Sequence, residues 1–273
     1  MKKPQILLTN DDGINSPGLW AAAEALSDLG YVTVVAPREQ SSGMGRSLPS
    51  TSDGLIRSQI LSVRGKEWTV YSVGGSPAQA VLHGILEIMP RRPDLVVSGI
   101  NYGENVASGI TISGTVGAAM EAAGMGLRSL AMSLETGVEN HHSYSQEIDF
   151  STAAYFTEFF AGLLLRKNLP GEVDLVKVDV PSAATPDTPW QVTRLAHQPY
   201  FVPFAPIRSS WDQPGRVGYR LNANLDCEPD SDVYTLRVKH LVSVTPLSLD
   251  MTARVSLPEL EDHLRGMDNP PLN

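Results

Sequence analysis

A single cysteine, Cys227, leaves this 273-residue chain with no possible intramolecular disulfide and no cysteine-based zinc site. Basic residues are also short: 21 Lys and Arg stand against 30 Asp and Glu, a formal net charge of −9. That balance excludes the strongly basic surface that holds duplex nucleic acid, so no polynucleotide partner is expected. No run of about 18 apolar residues occurs, and no membrane span is expected. The opening Met1-Lys2-Lys3-Pro4 leads straight into a strand-like run without the apolar core of a secretory signal. Together with the lone cysteine, this makes the cytoplasm the expected location. No Gly-x-Gly-x-x-Gly follows the first apolar run, which argues against a dinucleotide oxidoreductase. A P-loop and a Gly-x-Ser-x-Gly nucleophile elbow are missing too.

What is present is a chain with 42% hydrophobic and 19% charged residues, enough to bury a sizeable core. Ile6 to Thr9 reads as a buried strand. Ser16 and Pro17 read as the cap and first residue of a helix with an apolar stripe of Leu19, Ala22, Ala23, Leu26 and Leu29, and Tyr31 to Ala36 as the next strand. This βαβ unit implies parallel strands joined right-handed. Two strands, 58–63 and 68–73, flank the turn Arg64-Gly65-Lys66. A helix follows from Ser76-Pro77 to about Met89, then strands at 94–98, 129–134 and 175–180. Between these strands lie a small-residue helix after Ser113 and a long helix over 145–167. The fold class expected is α/β, a doubly wound and mostly parallel sheet. After Pro181 the pattern changes: eight prolines and short alternating runs at 192–195, 234–238 and 241–245 suggest loops and antiparallel strands. The chain therefore divides into a core of 1–181 and a β-rich extension of 182–273, expected to form one continuous domain. A closing helix at 257–267 and a frayed tail from Asp268 end it.

The first loop, Thr9-Asn10-Asp11-Asp12-Gly13, carries two adjacent carboxylates at the end of a strand. Like charges raise each other's pKa and call for a compensating cation, and two hard oxygen donors suit Mg²⁺ or Mn²⁺. A solvated turn with Gly13 at positive φ explains the same residues. In an open α/β sheet, ligands bind beyond the carboxyl ends of the strands. Asn10-Asp11-Asp12, Ser41-Ser42-Gly43, and Asn101 with Asn105 follow three such strands, so they share one rim rich in oxygen donors. Ser113-Gly114-Thr115 opens a helix, where it is either an ordinary cap or, beside a metal-binding rim, an anion cradle. A metal and an anion cradle together point to phosphoryl chemistry. His141-His142 falls in a loop and reads as solvated; His83 reads as a packed helical residue.

These segments resemble the SurE family, the stationary-phase survival proteins. The matching stretches are Ile6 to Ile14 with Ser16-Pro17-Gly18, Val35-Ala36-Pro37 with the Ser42 loop, Asp94 to Gly103 with Asn105, Ser113 to Ala119, and Val242 to Leu247. The resemblance implies a Rossmann-like, metal-dependent phosphatase acting on nucleoside 5′- and 3′-monophosphates through metal-activated water, in some members also on short polyphosphate. It implies one divalent cation per subunit, Mg²⁺ or Mn²⁺, on Asp11, Asp12, Ser42 and Asn101. The phosphate is then expected on Asn105, Ser113, Gly114 and Thr115, with Asn10 and Gly43 close by. It further implies a homodimer or homotetramer in which the extension takes part. Two positions depart from the family pattern: Gln79 replaces an aspartate, and Ile112 replaces a Tyr or His. A nucleotide-binding module without catalysis is the alternative.

Overall fold

Ile6, Leu7 and Leu8 are all inaccessible to solvent, yet they serve two cores. Ile6 and Leu8 pack with Leu19, Leu26, Phe156 and Phe160, whereas Leu7 packs with Val81, Ala118 and Ala122. Alternation along a strand sends neighbouring side chains to opposite faces, and a sheet buried on both faces needs helices on both. The computed structural model describes residues 3–63, 65–141, 144–223 and 226–266.

In chain order the first half comprises β1 (Gln5–Thr9), α1 (Pro17–Ser27), β2 (Tyr31–Pro37), β3 (Ile56–Val63), β4 (Lys66–Val73) and α2 (Pro77–His83). A π-helical turn, Gly84–Ile88, prolongs α2, and β5 (Leu95–Tyr102), α3 (Gly114–Gly124), β6 (Ser129–Leu134), α4 (Ser151–Arg166) and β7 (Leu175–Val180) follow. Then come β8 (Trp190–Val192), β9 (Phe201–Phe204), β10 (Gly218–Leu221), α5 (Asp232–Arg237), β11 (Val242–Leu247) and α6 (Leu257–Gly266). Nine strands form one sheet in the order β3-β4-β2-β1-β5-β6-β7-β11-β8. From β4 to β7 all neighbours are parallel; β3 is antiparallel to β4, and β11 is antiparallel to β7. The expected α/β architecture is therefore present. After β1 the chain winds outward through β2 to β4, then crosses back to place β5 on the other side of β1. This reversal opens a crevice between the carboxyl ends of β1 and β5.

Several expectations need correction. The run 234–238 is helical, not extended: Ser231 caps α5 by accepting from the Tyr234 N–H at 3.2 Å, and Val233 and Leu236 bury at helical spacing. Helix α4 begins at Ser151 rather than Ser145, because Asp149 holds the Ser151 N–H at 2.8 Å in a turn. Strand β5 runs on through Tyr102, past a register shift between Ser98 and Asn101, and so carries Asn101 on its own end. The hairpin β9–β10 was not anticipated. Arg64 of the expected turn, His142, and the tail from Met267 lie outside the described residues. Among the described residues, no helix is long and apolar enough to cross a membrane.

Candidate active site

Asp11 and Asp12 are 4% and 1% exposed, at the carboxyl end of β1 beside the crevice. The loop that holds them closes on itself: the Asn10 amide donates to the Gly13 carbonyl and accepts from the Gly13 N–H, both at 3.1 Å. Gly13 adopts φ +95°, as the turn reading requires. Thr115, at the start of α3, donates its hydroxyl to the Asp11 carboxylate. Gly114 permits that approach, since a Cβ there would stand 2.6 Å from the Asp11 Cβ. Asp12 accepts from the Tyr102 N–H at 3.3 Å and from the Gln40 side chain at 3.2 Å, while the Tyr144 hydroxyl donates to its carbonyl at 2.8 Å.

Among the described residues neither carboxylate has an ion-pair partner. Burial raises the Asp11 pKa against the pull of Thr115. Burial and the charge of Asp11 push Asp12 well above the ordinary carboxylate range. Tyr102 is pushed up to about 12, first by burial and then by Asp12. A buried, adjacent, unneutralised pair is costly, and a cation bridging it removes the cost. No group of three or more His, Cys, Asp or Glu suited to a metal occurs among the described residues. The donor set is instead two carboxylates with the neutral oxygens of Ser42 and Asn101, which fits a hard, partly hydrated cation. The Asn101 amide nitrogen is committed to the Tyr102 and Gly103 carbonyls at 3.2 and 2.6 Å, so its oxygen is the atom that would serve a cation.

A cavity of about 450 Å³ opens at this point, lined by Asp11, Ser42, Gly43, Asn101, Asn105 and Ser113 at one end. Asn10, Asp12, Gly114 and Thr115 are not among its lining residues. Asp12 adjoins Asp11 in the same loop, Asn10 closes that loop, and Gly114 and Thr115 hold the Asp11 carboxylate. The Ser113 hydroxyl caps α3 by accepting from the Val116 N–H at 3.1 Å, as the cap reading requires. The Asn105 N–H donates to Asp179 at 2.8 Å and its side chain to Ser133 at 2.9 Å. Asp179 in turn pairs with the fully buried Lys177, which also reaches Asp232 at 3.3 Å. Burial works against the charge on Lys177, but the two carboxylates outweigh it and the ammonium keeps its proton.

The other half of the cavity is aromatic and was not foreseen. Phe201, Pro203, Val217 and Tyr219 of the β9–β10 hairpin face Tyr102, Glu104 and His141. His141, expected to be solvated, is only 9% exposed. It stacks on Tyr219 at 6.2 Å and 25°, shares a hydrogen bond with its hydroxyl at 3.2 Å, and meets Phe201 edge-on. Its carbonyl accepts from Gln40, which also binds Asp12. Ile112, 65% exposed, sits on the cavity rim. Gln79 is elsewhere: it closes a capping box with Ser76 and ties Ser52 and the Pro49 carbonyl to α2. A larger cleft of about 930 Å³ lies between α1 and the start of α4, around Trp20 and Phe150, with none of these groups in it.

The family model for "Survival protein SurE" matches residues 6–201. The chain belongs to the SurE family. A protein of Thermococcus gammatolerans named 5′-nucleotidase SurE is 43% identical over 264 residues, covering 96% of each chain. Another of that name, from Archaeoglobus fulgidus, is 42% identical over 97% of this chain and 98% of its own. The crystal structure of the SurE protein from Aquifex aeolicus superposes with a TM-score of 0.74 at 31% identity, over 97% of this chain and all of that one. The family model thus spans the acidic end of the site, from β1 through β5 and α3, and stops at the first residue of β9, short of most of the aromatic hairpin.

Proposed function

We propose that the chain is a divalent-metal-dependent phosphatase that hydrolyses nucleoside 5′-monophosphates, and also 3′-monophosphates and short polyphosphate, to release inorganic phosphate. The observation that carries this is the buried Asp11–Asp12 pair, without a cationic partner among the described residues, at one end of a cavity whose other end is aromatic. Among the described residues no Lys or Arg lines that cavity, so a phosphate entering it calls for a cation supplied from solution. The curated relatives named 5′-nucleotidase SurE support the same reaction.

Asp11, Asp12, Ser42 and Asn101 would hold the cation, Mg²⁺ or Mn²⁺, one per subunit. When bound, such an ion neutralises the carboxylates, polarises a phosphoryl oxygen and lowers the pKa of water. The residues of the chain do the rest. Thr115 fixes the Asp11 carboxylate, while Tyr102 and Gln40 fix Asp12. Gly43, Asn105 and Ser113 receive the phosphoryl oxygens at the N-terminus of α3, whose dipole favours negative charge. Phe201, His141 and Tyr219 offer flat faces to the base. Water attacks phosphorus and loses a proton, the P–O bond to the nucleoside breaks, the departing nucleoside oxygen gains a proton, and the preorganised donors stabilise the charge that develops.

Assembly into a homodimer or homotetramer belongs to this reading. Helix α6 buries no residue, and Leu257, Leu260 and Leu264 form an exposed apolar stripe along it. A second copy would cover that stripe, and light scattering on the full chain tests it. The activity test is phosphate release at neutral pH from 5′- and 3′-nucleoside monophosphates and tripolyphosphate, with Mg²⁺, Mn²⁺ or EDTA. Release that needs the metal is expected; nucleotide binding without release under every condition would overturn the reading.

A further inference from the structure

Glu104 is a charged residue placed where nothing in the phosphatase chemistry needs one. It follows β5 and is 5% exposed, yet it lines the cavity. Its Oε1 accepts the Tyr200 hydroxyl at 2.6 Å. Its Oε2 is buried and has no hydrogen-bond partner among the described residues. A buried carboxylate oxygen left unmatched costs free energy, and native structures keep few such groups without a use.

The position of Glu104 within the cavity narrows that use. Its Oε1 is held by Tyr200, whose ring meets Phe201 edge-on at 4.8 Å, and Phe201 in turn meets Tyr219 and His141 edge-on. Those three rings form the aromatic half of the cavity wall, which Glu104 shares. Glu104 therefore faces the part of a ligand beyond its phosphate. Lys177 is occupied by Asp179 and Asp232, and Arg237 by Glu135, so the nearby cations are already engaged. Burial pushes the Glu104 carboxyl up to about 6, which leaves it mostly ionised at neutral pH, and an ionised carboxylate only accepts hydrogen bonds. Its missing partner is thus an O–H or N–H donor on the ligand.

We infer that Glu104 is a specificity-determining residue that accepts a hydrogen bond from the nucleoside portion of the substrate, through a ribose hydroxyl or a base N–H. This inference rests on the nucleotidase reading above and extends it. It also assigns a positioning role to Tyr200, which is 2% exposed and holds the other carboxylate oxygen. A polyphosphate offers no such donor, so the same carboxylate disfavours it against a nucleotide. Sites that hydrogen-bond a substrate group with a charged partner discriminate strongly against analogues lacking it.

The test compares kcat/KM of the full-length wild type, Glu104→Gln and Tyr200→Phe with Mg²⁺ present. The substrates are AMP, 2′-deoxy-AMP, 3′-deoxy-AMP, the monophosphate of purine riboside (which lacks the exocyclic amine), and phenyl phosphate. In the wild type, one of the analogues lacking a donor should fall about ten- to a hundredfold below AMP, the range for a hydrogen bond to a charged group. A fall with a deoxyribose analogue identifies a ribose hydroxyl; a fall with purine riboside monophosphate identifies the base. In Glu104→Gln that ratio should collapse to within a few-fold of one, and in Tyr200→Phe it should shrink less. Two results would overturn the inference: a wild type that treats all four nucleotides alike, or a Glu104→Gln protein that slows every ester, phenyl phosphate included, by one factor. Failure of the wild type to hydrolyse any of the five would instead strike the nucleotidase reading itself.

Discussion

Replacing Asp12 with Asn should make the metal-free protein more stable while abolishing its activity. Asp12 is 1% exposed and has two hydrogen-bond partners, both neutral: the Tyr102 N–H and the Gln40 amide. An Asn side chain can still accept from one of them, but its NH₂ would then face the other donor. That loss is on the order of 1 kcal/mol. Against it stands relief from a second buried negative charge beside Asp11, where the penalty for an uncompensated ion is several kcal/mol. The balance favours D12N by about 1–3 kcal/mol, or roughly 2–10 °C in Tm for a chain of this size. Bound cation reverses the order: a ligand at a hundredfold its Kd adds about 2.7 kcal/mol to the wild type and far less to a variant missing an anchor. Calorimetry of both proteins in EDTA and in saturating Mg²⁺, beside phosphate release, reads all of this. D12N should melt higher in EDTA, gain little from Mg²⁺, and lose at least about a hundredfold in turnover, as for loss of a group that stabilises developing charge. A D12N protein that melts at or below the wild type in EDTA would refute the claim that the carboxylate pair lacks a counter-charge. Undiminished turnover would refute the site.

The same pair predicts the pH dependence of the metal-free wild type. Asp12 has a folded pKa well above its ordinary 3.8, so between those two values the native state holds more protons than the unfolded one. Stability in EDTA should therefore rise as the pH falls from neutral toward that ordinary value, and be lost as the pH climbs back through the folded pKa; thermal melts of wild type minus D12N isolate the effect. The stabilisation by Mg²⁺ should run the opposite way, growing with pH as the carboxylates ionise. Lys177→Met would leave Asp179 and Asp232 buried without their cation and should cost about 3–5 kcal/mol by urea denaturation. Gln79→Ala opens the Ser76 capping box and releases Ser52 and Pro49, costing about 1–2 kcal/mol, with kcat/KM for nucleotides within about twofold of wild type because Gln79 is not in the cavity wall.

The core strands were readable because each is a short apolar run closed by Gly, Pro or a polar cluster. Parallel strands buried on both faces leave that signature, and Ser129–Leu134 and Leu175–Val180 were found to the residue. The acidic end of the site was readable for a related reason. Once three polar clusters follow three parallel strands, topology alone places them on one rim, and Asp11, Ser42, Asn101 and Asn105 do meet there. The aromatic end left no such trace. Strands β9 and β10 are four residues each, they are separated by a loop containing Pro206 and Pro214, and β9 carries Pro203, so no alternation survives to mark them. The run Tyr234 to Val238 misled because its alternation is real, but Ser231 and Asp232 start a helix just before it. Glu104 stands between Gly103 and Asn105, where its type alone marks nothing. Only its burial and its unmatched oxygen set it apart, and sequence shows neither.

The division of the sequence at Pro181 does not divide the chemistry. Strand β11 pairs with β7 through residues 243–247, which makes the extension part of the sheet itself. Asp232 of α5 accepts the N–H groups of Ala107 and Ala196, and Asp179 of β7 accepts that of Asn105. Lys177 joins the two carboxylates. The segment 105–107, of which Asn105 and Val106 line the cavity, is thus held by residues from both halves of the chain. So is the aromatic wall, where His141 of the first half stacks on Tyr219 of the second. An ion cluster of this kind adds little net stability, because desolvation offsets most of the attraction. What it does supply is geometry: three backbone N–H groups from two loops are aimed at fixed acceptors. The extension is therefore required for the shape of the site, and removing it would open the cavity as well as shorten the sheet.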